Sequence, residues 1–229
     1  MADFKDFEEK VSVVFADKEL LKQAFTHRSY INENKNLNLA HNERLEFLGD
    51  AVLELIVTDF LFKKFPEKTE GELTAFRAAL VNAQALSQVA TILDVNDLLL
   101  LSKGETRDTG RARQYILANT MEAIIGAIYL DQGYGSAQTF VVTYVTPLLD
   151  EVIDTGTWID AKSLFQEKAQ ESVGITPTYQ LVKETGPDHD KHFTIGVFLN
   201  NEKIAQGEGN SKQEAEQVAA RAALDARGW

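Results

Sequence analysis

Between Asn42 and Leu55 the chain reads NERLEFLGDAVLEL, and its apolar residues Leu45, Leu48, Val52 and Leu55 recur at helical spacing. The same reading predicts helices over roughly 5–14, 18–29, 42–64, 70–90, 92–96, 111–130 and 135–153. Asn42 suits an N-cap with Glu43 in the first turn, and Pro66, Gly71, Gly104, Gly110, Gly133 and Gly135 punctuate the stretch. Alternating strand patterns are absent here, so residues 1–153 predict an all-α helical domain.

The pattern changes near Asp154. DTGTWID is short, polar and non-periodic, and predicts a linker over 154–159. Residues 160–229 then open with a helix pattern from Ala161 to Ser172. In HFTIGVFLN, Phe193, Ile195, Val197 and Leu199 alternate as in a half-buried strand, and Asn200-Asn201 suits a hairpin turn. Ser211 and Glu214 form an S-x-x-E capping box before a last helix striped by Ala215, Val218, Ala219 and Ala222. The order α-β-β-β-α in a small α+β unit allows two helices to cover one sheet face.

Composition narrows the possibilities. The chain has 229 residues, which suits one large domain or two smaller ones, and 44% of them are apolar, enough for packed cores. It has no cysteine, which excludes disulfides, zinc–cysteine sites and thiol nucleophiles. No apolar run approaches a membrane span, and MADFKDFEEK has no secretory character, so the expectation is a cytoplasmic protein without a membrane partner. Net charge is −12, divided as −9 over residues 1–154 and −3 over 155–229. Neither part has a basic bias, so any nucleic-acid contact must use local lysines and arginines or a metal.

The candidate chemistry lies in acids on core helices. Glu43, Asp50 and Glu54 fall within roughly 20° of one line along the predicted helix, and Glu46 sits one turn before Asp50. In LANTMEAIIGAIYLD, Leu117 to Asp131, Met121, Ile124, Ile125 and Ile128 are spaced for a core helix, while Asn119 and Glu122 share a face at i and i+3. If the two faces meet, Glu46, Asp50, Asn119 and Glu122 converge. Converging carboxylates repel and lose hydration, so one must hold a proton or a cation must intervene. Oxygen donors with water suit Mg²⁺ or Mn²⁺, which would acidify a water and stabilise charge on a phosphate. A solvated acidic helix face is the competing reading.

At these residues the chain resembles the bacterial ribonuclease III family. HNERLEFLGDAVL (41–53) carries the likeness, with FTHRSY (25–30), EGELTAFRAALVN (70–82), KGE (103–105), GR (110–111) and LANTMEAIIGAIYLDQGYG (117–135). The resemblance implies a catalytic domain over 1–153 and a double-stranded RNA-binding domain over 160–229. It implies Mg²⁺-dependent hydrolysis of double-stranded RNA, leaving 5′-phosphate and 3′-hydroxyl ends, in rRNA and mRNA processing and decay. The family's metal and catalytic positions fall on Glu46, Asp50, Asn119 and Glu122, with Glu43 and Glu70 as further acids of the cleft. The family is a homodimer, and Phe47 matches the residue that enters a socket on the partner. One departure stands out: the family most often has L-A-D where this chain has L-A-N, so Asn119 offers a neutral oxygen.

In the second domain the resemblance places RNA contacts at Gln166, His189, Ser211 and Lys212. They would read A-form shape across two minor grooves and the phosphates between them. NSKQEAEQ holds one lysine where the family often has more, so modest affinity is expected. His27 and Arg28 are assigned to knitting the bundle rather than to acid–base chemistry. Arg77, Lys103, Arg107 and Arg111 are candidate phosphate contacts, with solvated surface the equal alternative. The leading function is a double-strand-specific endoribonuclease. The alternatives are a duplex RNA-binding protein with cleavage impaired by Asn119, and a metal-binding helical domain acting on another phosphate substrate.

Overall fold

The computed structural model describes residues 4–36, 39–107, 109–156, 158, 160–187 and 191–229. The chain divides into two compact units, Met1–Trp158 and Ile159–Trp229.

The first unit is helical: α1 (Lys5–Val11), α2 (Lys18–Ala24), α3 (Arg28–Glu33), α4 (Glu43–Lys64), α5 (Glu70–Val81), α6 (Ala83–Ile92), α7 (Val95–Leu98), α8 (Arg111–Gln132), α9 (Tyr134–Tyr144) and α10 (Leu148–Thr155). One 3₁₀ turn spans Glu105–Arg107. Three of the helices expected from periodicity are broken. The 18–29 pattern divides because Thr26 bridges Leu100 and the His27 N–H donates to the Leu100 carbonyl, which holds His27 extended. The 70–90 pattern divides at Asn82, whose side chain caps α6 by accepting from the Ala85 N–H. The 135–153 pattern divides before Pro147, whose ring leaves it no N–H to continue the ladder.

Helices α4 and α8 are the longest and pack most extensively on each other. Leu53, Ile56 and Val57 of α4 and Met121, Ile124, Ile125 and Ile128 of α8 are fully buried. The α4 stripe is rotated from the expected one, because Leu55 is 57% exposed while Gly49 is buried in its place. The reason is the crossing itself. A Cβ built on Gly49 would lie 1.7 Å from the Glu122 carbonyl oxygen, and one on Gly126 would lie 2.3 Å from that of Leu45. The two backbones touch, and only glycine permits it at either position.

The second unit holds α11 (Ala161–Val173), β1 (Thr178–Thr185), β2 (His192–Leu199), β3 (Glu202–Gly209) and α12 (Lys212–Arg227). The strands form an antiparallel sheet in the order β1-β2-β3. Asn200 takes the left-handed backbone of the β2–β3 turn. The core joins Phe165 and Ala169 of α11 to Val197 and Leu199 of β2 and Ala219, Ala220 and Ala223 of α12. Val218, expected on the apolar stripe of α12, is 45% exposed, because the Ala215–Ala219–Ala223 edge lies against β3. At the start of α12, Ser211 accepts from the Glu214 N–H, and Glu214 accepts from the N–H of Asn210, one residue before the cap.

The glycine crossing sets the first expected outcome. Gly49→Ala should destabilise the protein by about 3 kcal/mol or more, since neither backbone can yield without moving a core helix. Gly71→Ala, where an added Cβ meets nothing within 4 Å, should instead be stabilising by about 0.5 kcal/mol. Urea denaturation of both variants checks the contrast.

Candidate active site

Gly49 and Gly126 set which side chains meet. Glu46 and Asp50 flank Gly49 on α4, Glu122 lies one turn before Gly126 on α8, and Asn119 lies one turn before that. Glu46, Asn119 and Glu122 are half-buried, and Asp50 is exposed. Burial and the charges of Asp50 and Glu46 push the Glu122 carboxyl up to about 8. The Glu46 carboxyl is raised by burial, then by Glu43, and less by Asp50, while the Asn119 side chain stabilises its charged form. The four expected donors are therefore electrostatic neighbours.

They do not form a finished cage. Among the described residues no group of three or more His, Asp and Glu side chains is placed to hold an ion. An ion would have to draw these side chains inward and complete its shell with water, as Mg²⁺ does when one or two carboxylates anchor it. The donor chemistry fits a hard divalent cation: every donor is oxygen, and a cation would relieve the burial and charge that push the Glu122 carboxyl up.

Other expected residues lie at varying removes. Glu43 is exposed, with Arg28 at 3.6 Å and the His41 ring at 3.7 Å. Glu54 pairs with Arg77 at 2.9 Å, and Arg77 also donates to Thr58, which explains the third acid of the α4 line. Glu70 begins α5 and lines a groove of about 400 Å³ between α4 and α5 with Phe62, Leu73 and Arg77. Phe47 is 82% exposed on α4, and Phe62 on the same helix is 71% exposed. Lys103 and Arg107 flank the 3₁₀ turn, and Arg111 opens α8 beside Tyr115. His27 caps α3: its Nδ1 lies 2.8 Å from the Ser29 hydroxyl, and burial lowers its pKa. In the second unit Gln166, Ser211 and Lys212 are all exposed, and His189 lies outside the described residues.

Two features of this site were missed by periodicity. Gly126, an isolated glycine inside a helical pattern, was the available signal for the close crossing. The His41–Glu43 contact joins a loop residue to a helix residue and has no sequence signature.

A helical domain whose two central helices bring acids together thus shares one chain with a small α-β-β-β-α unit. Residues 17–149 match the "Ribonuclease-III-like" family model, and residues 161–226 match the "Double-stranded RNA binding motif". The chain belongs to the ribonuclease III family. It is similar to Ribonuclease 3 of Enterococcus faecalis, with 46% identity over 96% of this chain and 95% of the relative. It is also similar to Ribonuclease 3 of Desulforamulus reducens, with 48% identity over 90% of this chain and 83% of the relative. The solved nuclease domain of ribonuclease III from Campylobacter jejuni superposes with a TM-score of 0.58 at 39% identity, covering 63% of this chain and 97% of that one. These likenesses support an endoribonuclease and give no support to a binder crippled at Asn119.

Glu122 carries the second expected outcome. Its pKa in the folded state, about 8, lies above the unfolded value near 4.5. The folded state therefore binds more protons between those values, and metal-free stability falls as pH rises through that window. Glu122→Gln removes the ionisation and should raise the metal-free Tm by a margin that grows from pH 5 to about pH 8. Thermal unfolding in a chelator across that range measures it, and a pH-independent margin would contradict the assignment.

Proposed function

We propose that the protein is a cytoplasmic endoribonuclease that hydrolyses double-stranded RNA with Mg²⁺, for which Mn²⁺ can substitute, held by Glu46, Asp50, Asn119 and Glu122. The observation that carries this reading is the α4–α8 crossing, which sets Glu46 and Asp50 beside Glu122. When bound, the cation supplies an acidified water and stabilises charge developing on the phosphate. The products are 5′-phosphate and 3′-hydroxyl ends, as in processing and decay of rRNA and mRNA.

The chain's own residues then have distinct tasks. Glu46, Asp50 and Glu122 would hold the cation, and Glu122 would do so in its ionised form. Asn119 contributes a neutral oxygen and a weaker hold on the ion than a carboxylate. Arg28, 3.6 Å from Glu43, partly balances the acid whose charge weighs most on Glu46. Gln166, His189, Ser211 and Lys212 engage the duplex by shape and phosphate contact. Glu70 is a further acid of the cleft.

Two copies of the chain act together in this reading, each cutting one strand. The broad exposed apolar face of α4, with Phe47, Leu55 and Phe62, supports an isologous pairing in which Phe47 enters the partner.

Two outcomes test the proposal. A long RNA duplex should be cut to short duplexes with Mg²⁺ and stay intact in a chelator. In the same gel assay Asn119→Asp should lower the Mg²⁺ needed for half-maximal cutting by several-fold, and an unchanged Mg²⁺ requirement would remove Asn119 from the ligand set. Separately, Phe47→Asp should shift sedimentation from dimer to monomer at micromolar concentration, and an unshifted dimer would place the interface elsewhere.

A further inference from the structure

The first turn of α12 carries one lysine, Lys212, and the structure places it on a small platform. Its Nζ lies 5.8 Å from the ring centroid of Phe193, which lies near the start of the central strand β2. Phe193 has two cross-strand partners, Glu184 on β1 and Gly209 on β3. A Cβ on Gly209 would lie 2.7 Å from the Ala215 nitrogen, so its absence lets the first turn of α12 press onto β3 beside that ring.

Directly across from Phe193, Glu184 contributes a negative charge to the same corner. Its carboxylate pairs with Lys191 at 2.8 Å, and that hydrogen bond, with a smaller contribution from the charge of Lys212, holds it below the usual carboxylate range. Three other cations of this unit are matched in the same way: Lys168 with Glu171 at 3.1 Å, Lys162 with Glu216, and Arg227 with Glu202 at 2.9 Å. Glu171 and Glu216 pair within and between the helices, and Glu202 lies at the far end of β2, opposite Leu199. Among these acids Glu184 is the one paired across the sheet with Phe193, the ring near which the lysine at the helix start lies, where free N–H groups and the helix dipole favour phosphate.

We propose that Glu184 sets RNA affinity: it is an internal anion that competes with duplex phosphates for Lys191 and Lys212. Binding must exchange a carboxylate for a phosphate at this corner. The exchange weakens the complex and flattens its salt dependence, because lysines already neutralised release fewer counterions from the RNA. The inference rests on the reading of Lys212 as a phosphate contact.

The test is duplex binding by the full chain in a chelator, followed by fluorescence anisotropy with a short blunt RNA duplex. Glu184→Gln should tighten binding about two- to five-fold, the range open to an exposed ion pair. It should also steepen the log–log salt slope by up to roughly one, as for one more phosphate contact. Lys212→Ala should weaken binding, and Glu202→Gln, which removes an equal charge at the far end of β2, should leave it unchanged. If Lys212→Ala weakens binding and Glu184→Gln does not tighten it, the inference fails and the Lys212 contact stands. If Lys212→Ala changes nothing, both fail. Equal tightening by Glu202→Gln would assign the effect to net charge and overturn the role of Glu184. Far-UV circular dichroism of each variant confirms the fold.

Discussion

The contact between the backbones of α4 and α8 at Gly49 and Gly126 is the constraint on which the first unit depends. Side chains normally hold packed helices 8–10 Å apart. Here the absence of two Cβ atoms brings main chain against main chain. The same approach that packs Ile124, Ile125 and Ile128 against Leu53 and Ile56 also brings the acids of two helices into one electrostatic field. Folding and chemistry are therefore not separable here. The apolar surface buried along the helix pair offsets the repulsion collected at its rim, and a bound cation would relieve what remains.

The same economy of charge recurs across the protein. An acidic chain that engages RNA cannot rely on a broad positive field. It must confine its attraction to a few sites, where single lysines or arginines stand free of the general negative charge. Several acids near those sites are committed: Glu54 to Arg77, Glu43 to Arg28, Glu216 to Lys162. Such pairing limits the long-range repulsion a phosphate backbone meets, at the expense of strong local attraction. Lys212 on its Phe193 platform is such a site, a single positive charge set beside an aromatic ring.

Much of this was legible in the sequence because it is local. The helical period of Leu45 and Val52, the inward alternation of Ile195, Val197 and Leu199, and the Asn200 turn all depend on near neighbours. The motif resemblance added the pairing of Glu46 and Asp50 with Asn119 and Glu122, which period alone left open. What the sequence withheld was tertiary. The break at His27 depends on a bond to Leu100, more than seventy positions away. The outward turn of Leu55 follows from where α8 lies. Asn82 could have been read as a cap, but it sat inside an unbroken apolar period that favoured one long helix. The open arrangement of the acids is a matter of rotamers, which no residue pattern encodes.

The sheet and last helix of the second unit meet through their smallest residues. Gly207 and Gly209 of β3 face Ala215 and Ala219 of α12, so close that a Cβ on Gly207 would lie 2.2 Å from the Ala219 nitrogen. Close contact between small groups gives good packing with little apolar area removed from water. Because the heat capacity of unfolding scales with that area, contacts of this kind add stability while adding little to the heat-capacity change. The geometry of approach at β3 and α12 therefore holds the fold alongside the apolar core of Phe165, Val197 and Leu199.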